Sequence, residues 1–253
     1  MIGFNGGLIG AARETSNAQS VPGVWTPQEQ LKAKRAYLWP PNSGEDPYIA
    51  NVSLLLRGNG TNGSTTFTDN SLNSFAITAN GSAQISTAQS KYGGASMYFP
   101  GSSSSYLSTP SNAAFQFGTG DFTIEFWVYL TGSGSLFSNA TNLYANNCLN
   151  CRLYSSGTLD FYTNGGTEYT SISSAVTAST WTHLAFVRSG NTVTIYKNGT
   201  SIGSNANWGI NLNLTNFYIN GGRDGNGEKY YDDFRITKGV ARYTSNFTPP
   251  GEL

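Results

Sequence analysis

The chain has 253 residues, with 14 Lys and Arg set against 14 Asp and Glu, a single His, and charged residues at only 11%. Zero net charge without basic runs gives no electrostatic footprint for nucleic acid or an anionic membrane surface, and no stretch approaches the ~20 apolar residues that span a bilayer. The opening MIGFNGGLIGAARE lacks the charged start and apolar stretch of a signal peptide, while 15 Tyr, 14 Phe and 5 Trp can fill a large core, so the chain is not simply disordered.

Residues 1–50 carry five of the nine prolines and differ in composition from the rest of the chain. Thr26-Pro27-Gln28-Glu29 matches a capping box with proline at the first helical position. The spacing predicts a helix over 27–38, ended by Trp39-Pro40-Pro41. A helix of about eleven residues is marginal alone in water, and Trp25, Leu31, Leu38 and Trp39 give this one an apolar side that wants a partner. Residues 1–45 are therefore expected to be an anchoring segment, and residues 46–253 a separate domain.

From about residue 51 the pattern is strand and turn. Asn-Gly, the strongest short hairpin signal, starts at Asn59, Asn62, Asn80, Asn164, Asn198, Asn220 and Asn226. Phe122, Ile124, Phe126 and Val128 alternate onto one face, as do Leu184 with Phe186, and Val193 with Ile195. Ser189-Gly190-Asn191 joins the last two runs as a compact hairpin turn. Many short strands without helical periodicity predict an all-β, two-sheet antiparallel jelly-roll sandwich.

The residues that could carry chemistry are few. Cys148 and Cys151 form a lone CxxC, and the one His, His183, is far away in sequence, so a four-ligand zinc site lacks ligands and an incidental loop pair is expected. A glycosidase needs two carboxylates flanking a sugar. Asp121 and Glu125 share a strand face, but no third acid accompanies them, and the solvent side of a half-buried strand is the expected setting. His183 sits mid-strand and is expected to be structural. No catalytic residue is assigned, and the protein is expected not to be an enzyme. Sugar binding would stack a ring on an exposed aromatic. Trp208 and Tyr144 lie in polar, Asn-rich stretches that read as loops, with Asn205, Asn207, Arg223 and Asp224 to meet the sugar's edge. The competing reading of Trp208 is a cap on the sandwich core.

Four blocks, SLLLRGNGTNGSTTFTDNS from Ser53, KYGGASMYFPG from Lys91, FGTGDFTIEFWV from Phe117 with WTHLAFVRSGNTVTIYKNG from Trp181, and YYDDFRITKGVARYTSNFTPP from Tyr230, resemble the laminin-G-like, concanavalin A-like jelly rolls common in phage and bacterial surface proteins. The resemblance spans about 200 residues and implies two face-to-face antiparallel sheets, serving as sugar-binding, adhesion or structural domains. It implies a calcium site joining the first and last blocks, carried here onto Asn59, Asp69 and Asp232; relatives have an acid where this chain has Asn59. The competing reading of Asp69 and Asp232 is a pair of turn caps that accept backbone N–H bonds. The segment GVWTPQEQLKAKRAYLWP resembles leaders on structural proteins of tailed phages. The resulting expectation is a virion protein, assembled in the host bacterial cytoplasm, with other capsid or tail proteins and further copies of itself as partners. It would decorate the particle or serve as a tail or fibre component. The alternative is a carbohydrate-binding module that recognises host surface glycans.

Overall fold

The computed structural model describes residues 46–102, 104–140, 148–163, 169–221 and 227–253, and the chain divides into two units, Met1–Ala50 and Asn51–Leu253. The expected helix at 27–38, with Trp25, Leu31, Leu38 and Trp39, lies outside the described residues, as do Tyr144, Arg223 and Asp224. Among the described residues no helix is long and apolar enough to cross a membrane.

The second unit is built from strands β1 (Val52–Leu56), β2 (Thr78–Asn80), β3 (Gln84–Ser86), β4 (Ser96–Phe99), β5 (Tyr106–Ser108), β6 (Phe122–Leu130), β7 (Gly134–Ser138), β8 (Leu149–Leu153), β9 (Leu159–Thr163), β10 (Tyr169–Ile172), β11 (Thr182–Ser189), β12 (Thr192–Lys197), β13 (Thr200–Asn205), β14 (Tyr218–Ile219) and β15 (Lys229–Lys238). One sheet runs β13-β12-β11-β6-β15-β4-β3, with β1 also on β15; the other runs β10-β9-β8-β7-β14-β5-β2. β15 is the spine of the first sheet. β6 pairs along one side of it, while β4 and β1 share the other.

The alternation read from the sequence fills the space between the sheets. Phe122, Ile124, Phe126, Val128, Leu184, Phe186, Val193 and Ile195 are all buried in one core cluster with Phe137 and Phe161 of the second sheet and Phe217 just before β14. Phe126 stacks on Phe234 at 5.0 Å, and Phe137 meets Phe186 edge-on at 5.2 Å. Each such phenyl contributes about 2–3 kcal/mol by leaving water. Ser189 pairs with Thr192, so Gly190-Asn191 forms the expected hairpin turn. β12 and β13 turn at Asn198-Gly199, with φ of 49° and 78°, the left-handed pair that a tight turn requires. A Cβ on Gly199 would collide with the Phe247 carbonyl, so this turn also seats the C-terminal segment.

That segment closes the outer face of the first sheet. Ala241, Tyr243 and Phe247 pack on Ala185, Val187 and Tyr196, with the Tyr243 and Phe247 rings parallel at 3.5 Å. The cysteines are not a loop pair. Cys151 lies in β8 and Cys148 directly before it, both free and fully buried. Burial pushes the Cys148 thiol up to about 11 and raises Cys151 as well, so both are inert apolar fillers.

Candidate functional site

Glu125 is fully buried, not on a solvent face. A strand pattern reveals which side a residue takes but not what covers that side, and here the C-terminal segment does. Arg235 donates to Glu125 Oε1 from Nε at 2.9 Å and Nη2 at 2.7 Å, and the Tyr243 hydroxyl donates to Oε2 at 2.8 Å. His183 Nε2 stands 3.4 Å from Oε2. Burial alone would raise this carboxyl; Arg235, then His183 and Tyr243, overcome it and hold it at about 2. A carboxylate so enclosed fastens β6, β11, β15 and the C-terminal segment together and is closed to a substrate. Asp121 instead accepts the Gly190 N–H at 2.8 Å, holding the β11–β12 turn.

The residues expected to hold calcium separate into two settings. Asp69 accepts from the backbone N–H groups of Leu55, Ser71 and Phe75 at 3.0, 2.9 and 2.9 Å, and from the Ser71 hydroxyl at 2.9 Å. It is a turn cap. Asp232 sits at a bulge where β15 spends one residue more than β6 between Asp232 and Arg235, with Asp233 at φ 47°. Its Oδ2 accepts the N–H groups of Lys91 and Tyr92 at 2.9 and 3.0 Å. Asn59 reaches the same loop: a Cβ on Gly93 would run into its amide, and that amide donates to Glu252 at 3.2 Å. Asp233 Oδ2 accepts the Leu253 N–H at 3.0 Å, while its Oδ1 is buried without a hydrogen-bond partner. Burial, helped by the neighbouring acids and only partly offset by the backbone N–H groups each accepts, raises Asp232 to about 6 and Asp233 to about 7. Among the described residues no three His, Cys, Asp or Glu side chains converge as a metal cluster.

Trp208 is not an exposed stacking platform. It is fully buried, its ring parallel to Phe161 at 4.6 Å. Its polar neighbours do make a loop, but the loop folds its indole inward to cap the core.

Surface aromatics lie instead on the second sheet, on the face of β8, β9 and β10 turned away from the core. Leu149, Cys151, Leu153, Leu159 and Phe161 point inward; Asn150, Arg152, Asp160, Tyr162, Tyr169 and Ser171 therefore point outward. Pairing sets Arg152, Asp160 and Ser171 in one row across the strands and Asn150, Tyr162 and Tyr169 in the next. Tyr169 is 50% exposed and Tyr154, just past β8, 36%. The Tyr162 and Tyr169 rings stand 6.1 Å apart, tilted by 45°, and the Arg152 guanidinium lies 4.5 Å over the Tyr154 ring. Asp160 is buried at 5% exposure beneath them, with Oδ1 lacking a partner. The Tyr169 hydroxyl is raised by burial, then by its hydrogen bond to Asp160. The sequence carried a signal for this patch, tyrosines at the polar positions of LDFYT and YTSI, but joining them needed the strand register.

The family model of the concanavalin A-like lectin/glucanases superfamily matches residues 100–240, more than half of the chain. The chain belongs to this superfamily. Among solved structures it is similar to the binding domain of Paraclostridial Mosquitocidal Protein 1, at 18% identity and a TM-score of 0.60, covering 76% of this chain and 50% of that one. The binding domain of Botulinum neurotoxin DC in complex with rat synaptotagmin II is similar at 16% identity and a TM-score of 0.56, covering 76% and 49%. A structure on ganglioside-dependent cell entry of botulinum neurotoxin type C is similar at 15% identity and a TM-score of 0.57, covering 76% and 49%. At these identities the likeness is one of fold, and the chain spans about half the length of those structures. No curated protein matches.

Proposed function

We propose that the chain is a non-enzymatic recognition module that binds host surface glycans. The observation that carries this reading is the outward tyrosine patch on β8–β10, where the half-exposed Tyr169 and the exposed edge of Tyr154 offer rings able to stack on a sugar. The fold supports it. Two of the similar toxin structures are described as binding domains, one of them in complex with synaptotagmin II, and a third is tied to ganglioside molecules. Glu125, locked under the C-terminal segment, offers a substrate nothing. Binding of the full-length chain to immobilised glycans tests the proposal: retention of a defined glycan supports it, and an empty glycan array refutes it.

The phage leader resemblance supports a place for this module on a virion, held by residues 1–45 to other particle proteins, with several copies adding avidity. Deleting residues 1–45 then yields a folded domain missing from purified particles; incorporation at normal copy number refutes the anchor. Calcium belongs, on this reading, to the bulge. Asp232, Asp233 and the Asn59 amide would hold it, the orphaned Asp233 Oδ1 being the atom that fits a hard cation. Added calcium then raises the melting temperature of the wild type and not of Asp233→Asn.

A further inference from the structure

Where β1 ends, the chain leaves a cavity of about 210 Å³ between the loop that follows, the segment leading to β2, and strand β3. Leu56, Phe67 and Ile85 form its apolar floor, each at most 6% exposed. Arg57, Thr68 and Asn70 line its sides. Gly58 completes the wall with a φ of 76°, and a Cβ there would stand 3.1 Å from the Ser96 backbone. The loop after Arg57 is thus held close against β4.

The lining carries one charge, Arg57. Among the described residues its side chain has neither a hydrogen bond nor an ion pair. Nε is buried, but the residue as a whole is part-exposed, so the Nη nitrogens are the donors a ligand can reach. The acids nearby do not neutralise it. Asp233 registers the Arg57 charge only as the last of the influences on its carboxyl, and Asp232 is engaged by the N–H groups of Lys91, Tyr92 and Asp233. A half-buried cation without a counter-ion favours an anion beside it, and a carboxylate matches the guanidinium fork. Asn59, also in the wall, is committed to Glu252. Thr68 and Asn70 are exposed, and among the described residues their side chains make no hydrogen bond, which leaves them for hydroxyls. The volume falls below the roughly 300 Å³ where pockets for drug-sized ligands begin. It admits one sugar ring, not a longer chain.

We propose that this pocket takes a single carboxylate-bearing pyranose, a uronic or sialic acid residue. Its carboxylate would pair with Arg57, its C–H face would lie on the apolar floor, and its hydroxyls would meet Thr68 and Asn70. This rests on the glycan-binding function proposed for the chain and adds a subsite apart from the tyrosine patch. The test titrates the isotope-labelled full-length chain with methyl glucuronide, methyl sialoside and methyl glucoside, following the backbone amides of Gly58, Asn59 and Asn70. At least one acidic sugar is expected to shift these amides and to bind about tenfold or more tightly than the neutral one; the tighter of the two identifies the acid. Arg57→Gln is expected to bring the acidic sugars down to the neutral level, and Arg57→Lys to recover part of the difference. Arg57 makes no hydrogen bond, so Arg57→Gln keeps the fold, and an unchanged or raised melting temperature verifies it. Acidic sugars that bind no better than the neutral one, or whose binding survives Arg57→Gln, overturn the pocket. Glycans still retained on an array, with affinity lost in Tyr169→Ala, would then leave the recognition module standing. No shift with any sugar, together with a blank array, removes the glycan-binding function and the pocket alike.

Discussion

The Lys229 ammonium on β15 is fully buried, and its hydrogen bond goes to the Gly227 carbonyl 3.1 Å away. Burial lowers its pKa to about 7. The folded value lies below the unfolded one, so the penalty of the buried charge is fully present below pH 7 and fades as the pH rises toward 10.5. Lys229→Met is expected to stabilise the protein by a few kcal/mol at pH 6, with the gain vanishing above pH 10.5; urea unfolding at the two ends of that range checks it. Trp208 makes the opposite case. Its indole is sealed against Phe161, so Trp208→Ala is expected to cost about 3–5 kcal/mol without touching glycan affinity of the fraction that stays folded. Weakened glycan binding at unchanged stability would return Trp208 to the surface role first read from its polar neighbours. Those neighbours marked the loop correctly; composition around a tryptophan does not say which way the ring turns, because burying one large apolar ring outweighs the polarity of short side chains that remain in water.

Strands β6, β11 and β12 were legible in the sequence because apolar residues at every second position mark the face turned to the core, whatever covers the other face. The C-terminal segment was not, since Tyr243 and Phe247 gain their meaning from Ala185, Val187 and Tyr196, about 50 residues earlier in the chain. Glu125 sits where these elements meet. Its folded pKa, held at about 2, lies below the ordinary 4.5, so its stabilising contribution is complete above pH 4.5 and is lost as the pH falls toward 2. Glu125→Ala leaves Arg235 buried without its carboxylate and is expected to cost about 3–5 kcal/mol. Glu125→Gln keeps the shape, and its melting temperature is expected to vary less than that of the wild type between pH 2 and 5. Parallel acid profiles for the two proteins would show that other carboxylates control unfolding there. The bulge at Asp232 is a second junction: the resemblance grouped Asp232 with Asn59 and Asp69, and only the strand register shows that Asp233 stands at the bulge while Asp69 caps a turn of its own.

At the scale of the molecule the two outer sheet faces have been treated differently. The first sheet's outer face carries a buried carboxylate and is shut by residues 240–249; on the second, β8–β10 present tyrosines to solvent. The sandwich was legible because periodicity survives in any register, whereas the patch was hidden because Asp160, Tyr162 and Tyr169 meet only once β9 and β10 pair. Closure and recognition thus lie on opposite sides of one core, and truncation separates them. Ending the chain at Lys238 uncovers Ala185, Val187 and Tyr196 and removes the Tyr243 hydroxyl from Glu125. The melting temperature is expected to fall by about 10 °C or more, with new binding of a hydrophobic dye. The same truncation leaves Arg152, Tyr154, Asp160 and Tyr169 in place, so well below the new melting temperature the glycan affinity of the folded fraction is expected to match the full chain within about twofold. Loss of affinity in step with the lost closure would mean that the two faces are coupled through the core, and that the binding surface extends to the side the C-terminal segment covers.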